Sequence, residues 1–252
     1  MSDAPILTKH NVVSHLTELR NRMLIGLAVW IGASIACYLV VEHVLYWLTL
    51  PLQEAFANPQ DKRLIFTSLP EAFLTYLSLA FFAGFLVAFP VLAFQLYRFV
   101  APGLYRHERH VVLPFVIAAP LLFYLGAALA YFYIFPAAWK FFVSFELSGQ
   151  GGALPVELEA KLGEYLNLIM SIICAFGLAF QLPIILLLMI RAGMIRTATL
   201  RSGRRYAIVI LLIIAAFLTP PDVLSQLGLF AALYALYEVA IVMGRYYEPP
   251  AS

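Results

Sequence analysis

An all-α polytopic membrane protein with six transmembrane helices is the fold class that this 252-residue chain predicts, on three observations. Its composition is 63% hydrophobic and 12% charged, whereas a soluble domain is roughly half apolar and a quarter charged. Four stretches of bilayer-spanning length hold no charged residue. The sixteen basic residues are sorted into one set of connections rather than scattered. An ordinary water-soluble enzyme is excluded, and residues 1–252 are read as a single membrane domain.

A bilayer core of about 30 Å takes about 20 helical residues to cross. Residues 23–41, 72–97, 111–139 and 165–190 satisfy that outright and form spans one to four. Two further runs, 206–221 and 223–237, are divided only by Asp222 in Thr219-Pro220-Pro221-Asp222. Each covers only about 24 Å at about 1.5 Å per residue, so both are expected to be short. The tight Pro-Pro turn reverses the chain, which makes them spans five and six, the sixth reaching about residue 244.

Short loops rich in Lys and Arg stay cytoplasmic. Twelve basic residues lie on one side: Lys9, Arg20 and Arg22; Arg98, Arg106 and Arg109; Arg191, Arg196, Arg201, Arg204 and Arg205; and Arg245. Only Lys62, Arg63, Lys140 and Lys161 lie on the other. Both termini are therefore expected in the cytoplasm, with cytoplasmic loops 98–110 and 191–205 and outer loops 42–71 and 140–164. The outer loops carry most of the acids, among them Glu54, Asp61, Glu71, Glu146, Glu157, Glu159 and Glu164.

Within the first outer loop, residues 44–50, with Tyr46 and Trp47, read as an interfacial helix ended by Pro51, and residues 149–155 read as a Gly/Pro turn cluster. Loops of this length can form an external cap. Pro90, Pro114, Pro120, Pro136 and Pro183 fall inside spans and are expected to bend them. No internal repeat relates the two halves, which weakens an inverted-repeat transporter reading.

The sequence holds no phosphate-binding loop, no His-Glu-x-x-His, no Gly-x-Ser-x-Gly and no spaced Cys/His set, so neither a cofactor nor a metal site is expected. Cys37 and Cys174 sit in apolar runs and read as small buried hydrophobes. His107 and His110 share a helical face beside arginines, a poor metal site. With a net charge of +2, no nucleic-acid partner is expected.

Two carboxylates stand out. Glu18 lies in His15-Leu-Thr-Glu18-Leu-Arg20-Asn-Arg22, and Glu108 in Leu104-Tyr-Arg-His-Glu108-Arg-His110. Glu18 and Arg22 are spaced i,i+4, so an intrahelical pair worth a few tenths of a kcal/mol is the structural alternative. As a binding group, a carboxylate at the membrane surface takes a planar guanidinium bidentately and so prefers arginine to lysine.

Phe99-Val-Ala-Pro102-Gly103-Leu104-Tyr105-x-x-Glu108-Arg109, with the Glu18 motif, Phe66-Thr-x-x-Pro70-Glu71-Ala-Phe73 and Thr219-Pro220-Pro221-Asp222, resembles the TatC family, the multispanning receptor subunit of the twin-arginine protein translocase. The resemblance runs from the first helix to Glu238. It implies a glove-shaped six-helix protein with a concave face, a core receptor that binds Arg-Arg signal peptides of folded cargo at its cytoplasmic rim. Glu18 and Glu108 are the matching contact positions, with Phe99, Pro102 and Tyr105 shaping the loop. It also implies single-span TatA and TatB partners, self-assembly in a multi-subunit complex in the plasma membrane, and export driven by the proton gradient.

One departure concerns Phe176-Gly-Leu-Ala-Phe-Gln181-Leu-Pro183, where the family often has glutamate in place of Gln181. An amide can bond a partner helix for about 1 kcal/mol but cannot carry a proton, which makes Gln181 a candidate docking residue, with a bond inside its own bundle as the equal alternative, and not a relay. Glu238 is expected to snorkel or to pair with the Arg-rich loop, and Asp222 to cap the sixth helix. A secondary solute or ion transporter is the alternative; it requires a charged or broken-helix site at mid-membrane, for which Gln181 alone is thin support.

Overall fold

The computed structural model describes residues 9–56, 63–100, 109–146, 158–219 and 223–247. In chain order these form α1 (Lys9–Tyr38), α2 (Val41–Ala55), α3 (Glu71–Val100), α4 (Arg109–Leu129), a π-helical turn (Ala130–Ile134), α5 (Phe135–Val143), α6 (Leu162–Ala179), α7 (Leu182–Arg191), α8 (Thr197–Ser202), α9 (Arg204–Leu218) and α10 (Val223–Tyr247). Among the described residues, five stretches are long and apolar enough to cross a membrane: Leu16–Tyr38, Glu71–Phe99, Phe115–Val143, Leu162–Arg191 and Ser225–Tyr246. α9, at 15 residues, is short as expected and reaches only about 22 Å.

The last helix is not short. α10 runs for 25 residues, about 37 Å, through Glu238 and slightly beyond the expected end near residue 244. The Glu238 carboxylate accepts a hydrogen bond from Arg204 at 2.7 Å, so the charge that interrupts the apolar run is compensated and the helix continues through it.

By contact the chain divides into two compact units, residues 1–40 with 80–120 and residues 41–79 with 121–252. In the first unit α1 packs along α3 from Phe81 onward on a stripe spaced four residues apart. Ser34, buried, lies so close to Gly84 that an added Cβ would come within 3 Å of the Ser34 backbone. One turn along, Trp30 donates its indole N–H to the Phe81 carbonyl at 2.9 Å and meets Phe81 and Phe85 edge-on. Next, Gly26 receives the Leu92 side chain. Small residues let the backbones approach, which drives helix association where lipid offers no hydrophobic gain.

In the second unit α2 packs on α5, and α10 packs on α7, α8 and α9. The Pro51 reading is corrected here: α2 continues through Pro51 to Ala55. A proline removes the N–H that would bond the carbonyl four residues back, here that of Trp47. That carbonyl instead accepts the Tyr131 hydroxyl at 2.6 Å, and the Leu48 carbonyl accepts the buried Tyr165 hydroxyl at 2.8 Å. The Tyr131 hydroxyl thus supplies the donor that Pro51 lacks, the Tyr165 hydroxyl adds a tie one residue on, and the helix survives its proline.

Pro136 and Pro183 do mark irregularities. The π-helical turn ends two residues before Pro136, and span four is divided at Phe180–Gln181, just before Pro183. Pro90 lies within an unbroken α3. Cys37 and Cys174 are free thiols, half-buried rather than buried. The segments leading into α3 and α6 meet where Ile65 and Lys161 form a parallel bridge: Ile65 donates to the Ala160 carbonyl at 3.1 Å and Leu162 to the Ile65 carbonyl at 2.8 Å. Glu71 fixes the turn before α3 by accepting from the Thr67 amide at 2.7 Å and the Ser68 amide at 3.2 Å. Residues 149–155 and Asp222 lie outside the described residues.

Candidate functional site

Along α1 the four-residue stripe of Ser34, Trp30 and Gly26 continues to Arg22 and Glu18, so the helix itself delivers the acid to the end of the α1/α3 seam. The Glu18 carboxylate accepts from Arg22 Nε at 3.0 Å and also from Arg22 Nη2. The side chains are 33% and 16% exposed. The structural alternative raised for Glu18 is therefore what the helix adopts: a half-buried pair that fixes the carboxylate in direction.

Beyond this pair the seam opens into a groove of about 280 Å³. Leu19, Arg22, Met23 and Leu27 line it from α1, and Leu92, Gln95, Leu96 and Phe99 from α3. Its lining is apolar apart from Arg22 and Gln95. The Gln95 side-chain oxygen is buried in the wall and has no hydrogen-bond partner among the described residues. The structure thus brings Glu18, through Arg22, and Phe99 to one place. Pro102, Tyr105 and Glu108 lie outside the described residues, as do His107 and the side chain of His110.

Gln95 was not singled out by sequence reasoning. Its signal was available: Leu92, Gln95, Leu96 and Phe99 recur at helical spacing, with one amide among apolar neighbours.

Gln181 sits at the break between α6 and α7. The Gln181 backbone amide bonds the Leu178 carbonyl at 3.0 Å rather than that of Gly177. The Gly177 carbonyl is met by the Gln181 side-chain amide, which donates at 3.3 Å. Gln181 is half-buried, so its side chain bonds its own helix and is partly accessible from outside. Around it the packing is tight: an added Cβ on Gly126 would lie 2.6 Å from the Phe176 carbonyl oxygen, and one on Gly177 would run into the Phe123 ring. No group of three or more potential metal ligands occurs among the described residues.

Residues 14–231 match the family model described as Sec-independent protein translocase protein (TatC). The chain belongs to the TatC family. The Sec-independent protein translocase protein TatC of Magnetococcus marinus is 44% identical over 237 residues, which cover 94% of this chain and 84% of that protein. The Escherichia coli K12 TatC is 32% identical over 236 residues, covering 94% and 88% respectively. Among solved structures, a crystal structure of the twin arginine translocase receptor TatC in DDM superposes with a TM-score of 0.75 at 32% identity, covering 91% of this chain and 99% of that one. A second crystal structure of the same receptor gives 0.72 at 33% identity, covering 92% and 99%.

Membership makes this chain an all-helical, multi-pass membrane component of the Sec-independent translocase, a receptor family without enzymatic chemistry. The solute-transporter alternative finds no support.

Proposed function

We propose that this chain is the receptor that binds twin-arginine signal peptides of folded proteins at its cytoplasmic rim and commits them to export driven by the proton gradient. The observation that carries the reading is the Glu18–Arg22 pair at the mouth of an apolar groove that ends at Phe99. A carboxylate at a membrane surface takes a guanidinium as a planar fork, and an apolar wall beside it raises the strength of that contact by lowering the local dielectric. Glu108, Pro102 and Tyr105 complete the rim in this proposal, on the strength of the motif they share with Phe99. Two separated acids discriminate an arginine pair from a lysine pair, because an ammonium offers no fork.

The chain acts as a single membrane domain of six spans, with α9 as the fifth, and with both termini in the cytoplasm of the cell whose plasma membrane holds it. The distribution of its basic residues supports that orientation. Gln181, half-buried at a helix break, is the docking residue for single-span TatA and TatB subunits, and several copies assemble with them.

Site-specific photo-crosslinkers at positions 18 and 99 test the proposal. With an Arg-Arg signal peptide both positions should crosslink, and the yield should fall when the peptide carries Lys-Lys. Equal yields from both peptides would overturn it.

A further inference from the structure

We propose that the connection between α7 and α9 is a binding site for the headgroup phosphates of anionic phospholipids. The inference is independent of the signal-peptide reading and rests on charge, rigidity and position together.

Charge comes first. No Asp or Glu occurs between Glu164 and Asp222, and that interval holds Arg191, Arg196, Arg201, Arg204 and Arg205. Glu238 reaches in from α10 and takes Arg204. Arg196, Arg201 and Arg205 are exposed, and among the described residues none of the three has an acidic partner. Three guanidiniums without an acidic partner among the described residues, on one short connection, attract a phosphate diester strongly.

The connection is also rigid. α7 ends with Gly193 in the left-handed region at φ +70°, where the Gly193 amide bonds the Ile190 carbonyl and the Met194 amide the Met189 carbonyl, both at 3.0 Å. This pair of bonds closes the helix and turns the chain sharply. Thr197 is buried where α8 meets α10, so close to Gly244 that an added Cβ there would lie 2.8 Å from the Thr197 methyl. One turn of α8 further on, the Leu200 carbonyl accepts the Tyr237 hydroxyl at 2.7 Å. The arginines therefore project from a platform fixed to α10, and little side-chain ordering is needed beyond their own.

Position selects the ligand. Met194 is 71% exposed and Tyr206 60%, and the Arg205 guanidinium lies 4.8 Å from the Tyr206 ring centre with Nη2 donating to its hydroxyl at 3.0 Å. Aromatic and apolar side chains interleaved with arginines at the ends of apolar helices match the composition of the headgroup layer. An acidic protein segment would find the same charges, but the exposed Met194 and Tyr206 favour a ligand with acyl chains attached.

The test uses the full chain in phosphatidylcholine nanodiscs, with spin-labelled phosphatidylglycerol or phosphatidylcholine as probe. The unaltered protein should immobilise the anionic probe several-fold in preference to the zwitterionic one. R196Q/R201Q/R205Q should bring the preference close to parity, and Arg201→Gln alone should remove part of it. R196K/R201K/R205K should retain most, since the attraction needs charge more than a planar fork. Millimolar inorganic phosphate should leave the preference intact. The proposal is overturned by an undiminished preference in the glutamine variant. It is equally overturned if free phosphate abolishes the preference, or if the glutamine variant loses a glutamate-rich peptide while keeping its lipid selectivity.

Discussion

Glu18 is held by Arg22 before any ligand arrives, and this has a measurable consequence. Glu18→Gln removes the charge while keeping the size and helix preference of the side chain. A charge-assisted hydrogen bond is worth about 1.5–3 kcal/mol, so the affinity for an Arg-Arg peptide should fall by about tenfold or more while membrane insertion is unchanged. Fluorescence anisotropy with a labelled signal peptide reads the change; an unaltered affinity would exclude Glu18 from the site. The pair itself was legible from the i,i+4 spacing, and so was the contest between an internal and an external guanidinium. The groove beside it was not, because it depends on α1 and α3 lying side by side, which the sequence of either helix alone does not state. At Gln181 the departure from the family's usual glutamate is plain in sequence, but the bond to the Gly177 carbonyl is visible only in three dimensions. Gln181→Leu should weaken co-purification of a single-span subunit, and wild-type recovery would restrict the residue to its own helix.

At the scale of elements, spans one to four were readable because an uncharged run of bilayer length is costly to keep in water and at home in lipid. Their irregularities were only half readable. Prolines announce that a backbone donor is missing, yet whether the helix bends, breaks or continues depends on what replaces that donor. At Pro51 the Tyr131 hydroxyl does so, from a residue far along the chain, and α2 runs on. Tyr131→Phe should therefore lower stability by about 1 kcal/mol or somewhat more, read as a drop in thermal unfolding midpoint in detergent. Close helix packing gives a sharper contrast. Gly84→Leu would force a side chain into the Ser34 backbone and should cost about 1–3 kcal/mol or block accumulation in the membrane. Gly32→Leu, with nothing within 4 Å of the added Cβ, should be tolerated. Equal accumulation of the two variants would contradict the packing of α1 on α3. The reach of α10 past Glu238 and the pairing of that acid with the Arg-rich connection were readable, but that Arg204 is the partner is visible only in three dimensions.

For the whole molecule, the sorting of twelve basic residues against four sets the expected orientation, and a reporter that is active only in the cytoplasm should function when fused after Ser252. Activity confined to an external reporter would exchange the inner and outer loops. Fold class and family were recoverable from sequence because composition and motifs act along the chain; the groove, the platform of arginines and the loop bridge at Ile65 were not, since each joins distant segments. The central claim is that the receptor reads the guanidinium and not positive charge in general. Titration of the purified chain with two signal peptides, identical except for Arg-Arg or Lys-Lys, measures this directly. The account predicts at least about tenfold weaker binding of the lysine peptide, a gap that closes in the Glu18→Gln variant; equal affinities in the unaltered protein would contradict it.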